Sequence, residues 1–176
     1  MKNKKLEKIV IIVTACFVVV TILLMFGGNL FDGSSATATY DMTLMPEATG
    51  MTEVISAGTV VEQSFVCNTE TIEKIGIVFD RESVPTDAYL VIELLRNGKT
   101  VASDTYPVSS IKDQHRTYLV LDSRVSDSQN KKYTLRIYPV GNYDSGTRIL
   151  ISDSRDTTYS FGNKKMRGTL CFSITE

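Results

Sequence analysis

The sequence predicts an all-β sandwich or barrel preceded by one transmembrane helix. Three observations predict it. Eighteen residues, Ile9 to Phe26, carry no charge and are apolar or nearly so. From about Met51 onward, apolar and polar residues alternate with a period of two. Gly-, Asn- and Asp-rich turns separate the alternating runs, and no segment beyond Phe26 keeps a helical period for more than about two turns.

The apolar run comes first. At ~1.5 Å rise per residue, its helix is roughly 27 Å long, close to the ~30 Å of a hydrocarbon core. β-Branched residues dominate it, but in lipid the backbone has no partner except itself, so a helix results. Lys2, Lys4, Lys5 and Lys8 precede the run, and no further lysine or arginine occurs until Lys74. The positive-inside bias therefore keeps residues 1–8 as a cytoplasmic basic tail and sends the remainder out of the cytoplasm. An uncleaved signal anchor over 9–26 is the expectation, placing the protein in the cell membrane as a single-pass chain. Two alternatives stand beside it. Ala36-Thr37-Ala38 has the small residues of a signal-peptidase site but lies far beyond Phe26. Val13-Thr14-Ala15-Cys16 fits a lipobox, yet the apolar run continues past Cys16, where a lipidated cysteine would end it. A type IV pilin is excluded, because the required Gly and Glu around the helix start are missing.

Residues 27–51 are small, polar and turn-rich, and read as a flexible linker. Leu44 to Gly50 resembles a sortase sorting signal but has the wrong spacing and lies at the wrong end of the chain. Residues 52–176 form the extracytoplasmic domain, large enough for one core. Ile75, Ile77 and Phe79 alternate with more polar neighbours, as do Tyr133, Leu135 and Ile137, and Leu170, Phe172 and Ile174. Leu90 to Leu95 is largely apolar on both faces and reads as a central strand. Further strands are expected near Val60–Val66, Lys99–Tyr106, Thr117–Leu121, Thr147–Ile151 and Thr158–Phe161. Asn97-Gly98 marks a two-residue hairpin, since both residues accept positive φ. Gly141 to Gly146 marks a longer hairpin loop, and Ser126 to Asn130 another turn.

The runs Glu62-Gln63-Ser64-Phe65-Val66, Ile72 to Phe79 and Leu90 to Leu94 with Asn97-Gly98-Lys99 carry a resemblance. It continues through Ile111-Lys112-Asp113, Tyr118 to Leu121 and Tyr133 to Ile137. Together they resemble non-catalytic, carbohydrate-binding-module-like jelly rolls in the extracytoplasmic parts of bacterial membrane proteins. The resemblance covers roughly residues 55–140 and implies a jelly-roll-like antiparallel β-sandwich. It consists of core and turn residues, so it transfers no binding residue.

Composition excludes several functions. Four of the 19 basic and one of the 20 acidic residues precede Gly27, so residues 27–176 hold 15 against 19, a net charge of −4. Such a domain is not built to grip nucleic acid. Lys164, Lys165 and Arg167 cluster, and read as a solvated turn. His115 is the only histidine, which removes metal sites of two or three histidines, and no nucleophile elbow or phosphate-cradling loop occurs. Glu73, Glu93, Asp122 and Asp153 are carboxylates that the sequence does not pair for glycoside hydrolysis. Asp80-Arg81-Glu82 and Ser152 to Asp156 offer oxygen ligands for a structural calcium ion, but neither matches a calcium loop. No other cofactor is implied. Outside the membrane segment, Cys67 shares a face with Phe65 and points inward. Cys171 lies opposite Leu170 and Phe172 and points outward, so two thiols are expected rather than a bridge.

What remains is a non-enzymatic binding module. Sugars are held by flat aromatic faces, and the chain has no Trp. Tyr138, on the outward face of its strand, and Tyr143, in a loop, are the candidate ligand-binding residues. Tyr106, Tyr118 and Tyr159 are weaker ones. The partners expected are the membrane, through Ile9–Phe26, and a cell-envelope or extracellular glycan. The alternative is a protein-interaction accessory subunit of an envelope complex, which would show an exposed apolar patch or an unprotected strand edge.

Overall fold

The computed structural model describes residues 41–81, 88–140, 147–153 and 157–176. The membrane segment expected at Ile9–Phe26 lies outside them. Among the described residues, no helix is long and apolar enough to cross a membrane.

The described chain forms twelve strands, all paired antiparallel in two sheets. They are β1 (Gly50–Met51), β2 (Val61–Val66), β3 (Ile72–Arg81), β4 (Tyr89–Arg96), β5 (Lys99–Pro107), β6 (Arg116–Val125), β7 (Lys132–Val140), β8 (Thr147–Ser152), β9 (Thr158–Phe161), β10 (Lys164–Arg167), β11 (Thr169–Leu170) and β12 (Phe172–Thr175). One short 3₁₀ turn, Val108–Ser110, follows β5. In the first sheet β1 pairs with β8, β8 with β3, and β3 with both β6 and β12, while β11 pairs with β8. The second sheet runs β10-β9-β2-β7-β4-β5.

Alternation explains the packing. In β2, Val61, Gln63 and Phe65 are buried and the residues between them are half-buried. In β7, Tyr133, Leu135 and Ile137 face inward, as expected. The two inner faces meet in one core. The Phe65 ring of the second sheet lies 5.8 Å from Tyr133 beside it and 5.1 Å from Phe172 of the first sheet. Gln63 crosses the same gap, its Oε1 accepting the Leu170 backbone N–H at 2.7 Å. The hairpin between β4 and β5 turns on Asn97 (φ 52°) and Gly98 (φ 73°), the two positive angles that an Asn-Gly pair accepts.

Four expectations are corrected. The domain begins before Thr52. Met42 is fully buried in the core, its carbonyl accepts the Ile174 N–H at 2.6 Å, and Gly50–Met51 is already a strand against Ile151 and Leu150. Met42, Leu44 and Met45 keep no sustained period before Pro46, so the sequence did not reveal which of them is buried. Cys171 is buried, not outward. It sits between β11 and β12, where the chain passes from pairing with β8 to pairing with β3, and its backbone bonds to both Leu150 and Val78. Burial pushes its thiol up to about 11. Cys67 is buried as expected, and both thiols are free. Lys164, Lys165 and Arg167 do not form a turn; they lie on β10, an edge strand whose hairpin turns at Gly162 (φ 56°). Finally, β4 is interior but not central, lying one strand from the sheet edge between β7 and β5. Its outer residues Val91 and Leu95 are buried nonetheless.

Candidate functional site: a groove on the second sheet

Register brings together residues that are far apart in the chain. On the outer face of the second sheet, Lys165, Ser160, Glu62, Arg136, Glu93 and Ser103 are successive cross-strand partners on β10, β9, β2, β7, β4 and β5. They form one polar row across all six strands. The centre of the row is ionic. Arg136 Nε donates to Glu62 Oε1 at 2.5 Å, and its Nη1 lies 3.5 Å from Glu93 Oε2. The hydrogen bond to Glu62 raises the guanidinium above its ordinary range, burial opposes it next in size, and the charges of Glu62 and Glu93 add to the rise.

Tyr138 stands one row away, opposite Val91 on β4. It is on the outward face, as its strand period required, and is half-buried. Its hydroxyl donates to Glu93 Oε1 at 3.3 Å. Burial and the adjacent Glu93 carboxylate hold that hydroxyl above the usual phenol range, with Arg136 acting in the opposite sense. Val60, Glu62, Glu93, Thr100, Arg136 and Tyr138 line an open groove of about 490 Å³. The groove thus has an aromatic wall, an acceptor-rich floor and a hydroxyl from Thr100. Glu62 and Glu93 flank the same guanidinium, one from each neighbouring strand.

The other candidates divide. Tyr143 lies outside the described residues. Tyr159 is buried in the core, which removes it as a ligand platform. Tyr106 is half-buried and its hydroxyl donates to the Tyr118 carbonyl, joining β5 to β6. Tyr118 is exposed on the first sheet, where its ring lies over Gly76. His115 is exposed in a loop, with Nδ1 2.7 Å from the Asp113 carbonyl oxygen. Asp80 is engaged with Arg148 at 3.3 Å. Glu82 and residues 154–156 of the two calcium candidates lie outside the described residues, and no group of three metal-ligating side chains occurs among the described ones. The sequence reading missed Glu62, Arg136 and Thr100. Their proximity depends on the pairing of β7 with both β2 and β4, which no local motif encodes. No protein-family model matches the chain, and no curated protein matches it.

Proposed function

We propose that this chain is a membrane-anchored, non-enzymatic binding module that holds cell-envelope or extracellular glycans outside the cytoplasm. The observation that carries the reading is the groove, where Tyr138 stands beside Glu62, Arg136, Glu93 and Thr100 on one open sheet face. A pyranose presents C–H patches to an aromatic ring and hydroxyls to carboxylates and a guanidinium, and this wall and floor offer both. Supporting it, the pairing orders β1-β8-β3-β6 and β2-β7-β4-β5 match the strand order of a jelly roll, a scaffold that hosts many binders. The anchor at Ile9–Phe26 and the lysines before it support the location.

The test is retention of the full chain, in detergent micelles, on insoluble cell-wall polysaccharides. Tyr138→Ala is expected to abolish most retention, and Tyr143→Ala reports whether that residue shares the role. Failure to bind any glycan, alongside specific co-purification with one membrane protein, would replace this reading with the accessory-subunit one. Exposed Tyr118 and Val120 on β6 are where such a partner would dock. Labelling of a cysteine added after Glu176 on intact cells tests the orientation; a shielded tag would reverse it.

A further inference from the structure

Beyond the groove itself, the outer face of the second sheet carries a second aromatic residue. Leu90, Ile92 and Leu94 of β4 are fully buried, so Tyr89 belongs to the same outer face as Val91 and Glu93. Tyr89 is 41% exposed. Its cross-strand partners are Val140 on β7, 46% exposed, and Pro107 on β5. The three make an apolar ledge at one end of the face. Tyr138 is the diagonal neighbour of Tyr89, a placement that sets residues about 7–8 Å apart and within reach of aromatic side chains. From Tyr89 to Glu93 along β4 is about 13 Å, longer than one sugar ring.

Charge narrows what such a track accepts. Among the groove-lining residues the one cation is Arg136, and it is held between Glu62 and Glu93. Two carboxylates against one guanidinium leave the lining net negative. Lys165 lies at the sheet edge, two strands from Glu62, and is engaged in an interaction of its own. No guanidinium in the lining is therefore free to take a phosphate, sulfate or uronate, each of which would also meet the excess carboxylate.

Resting on the glycan reading above, we infer that Tyr89 is a second stacking residue and that the track takes an uncharged pyranose polymer rather than an anionic one. A polymer laid along the face places one ring on the Tyr89 ledge and the next against Tyr138, with its hydroxyls over Glu93, Arg136 and Glu62.

The test titrates the full chain in detergent micelles with oligomers of N-acetylglucosamine and a soluble β-glucan, and separately with polygalacturonate and poly(glycerol phosphate). At least one uncharged polymer is expected to bind, with the anionic ones about ten-fold weaker or worse. Tyr89→Ala is expected to weaken binding by about five-fold, while Arg124→Ala, on the opposite sheet, leaves it unchanged. Circular dichroism and the thermal midpoint establish that the Tyr89 variant is folded. If Tyr138→Ala weakens binding but Tyr89→Ala does not, or if an anionic polymer binds best, this inference falls and the glycan reading stands. If no polymer of either class binds, the glycan reading falls and takes the inference with it.

Discussion

The outer faces of the two sheets use the same residue types for different ends. On the first sheet, Tyr118 of β6 lies opposite Gly76 of β3, with Ser173 of β12 on the other side. A Cβ placed on Gly76 would meet the Tyr118 ring at 3.0 Å, so the ring covers bare backbone. Close by, Arg124 pairs with Glu73, and the arginine side chain is largely in water. On the second sheet, Tyr138 covers no glycine; its hydroxyl points to Glu93, and its ring forms the wall of a groove. The ion pairs there involve three strands, and the Glu93 side chain is only 14% exposed. The difference teaches that an outward tyrosine is not by itself a binding residue. What matters is whether the neighbouring strand leaves it something to cover.

The sharpest way to break the comparison is to remove the guanidinium at the centre of the second face. Arg136→Leu leaves Glu62 and a mostly buried Glu93 without their shared partner, and is expected to cost about 1–3 kcal/mol in urea unfolding. A loss below a few tenths would mean the row is as solvated as the Arg124–Glu73 pair. Next in size is the Gly76–Tyr118 contact. Gly76→Ala is expected to be about 0.5–1 kcal/mol worse in the wild-type background than in a Tyr118→Ala background, read from a double-mutant cycle. Zero coupling would remove the claim that the ring rests on that glycine. The smallest effect belongs to Arg124→Ala, expected within about 0.5 kcal/mol of wild type because the pair is exposed. A cost equal to that of Arg136→Leu would erase the distinction between these two ion pairs.

Much of the β architecture was legible because alternation is a local signal. β2, β4, β7 and β9 lie where the pattern put them, and Asn97-Gly98 announced its own turn. Three features were not legible, each for a physical reason. β10 has no apolar alternation, since only Met166 of this four-residue edge strand packs against the core while Lys164, Lys165 and Arg167 are exposed. Cys171 broke the inward-outward rule because the chain changes sheet partners at that residue, and both of its sides become covered. The Glu62–Arg136–Glu93 cluster joins residues from three separate strands, and only the register of β7 against two neighbours brings them into one row. Tyr138 could be assigned to the outer face from period alone, but not to a groove.

The pairing of the first sheet also has a kinetic consequence. Gly50 of β1 meets Ile151 of β8, and Ile75 of β3 meets Ile174 of β12, so its contacts join residues about a hundred positions apart. Closing such loops is entropically slow, and high contact order places folding in the millisecond-to-second range. The core's Phe172 lies on β12, and from the same strand Ile174 N–H bonds back to Met42. The sandwich therefore cannot close until β12 is in place, and a chain lacking β12 loses the bond that holds Met42 in the core.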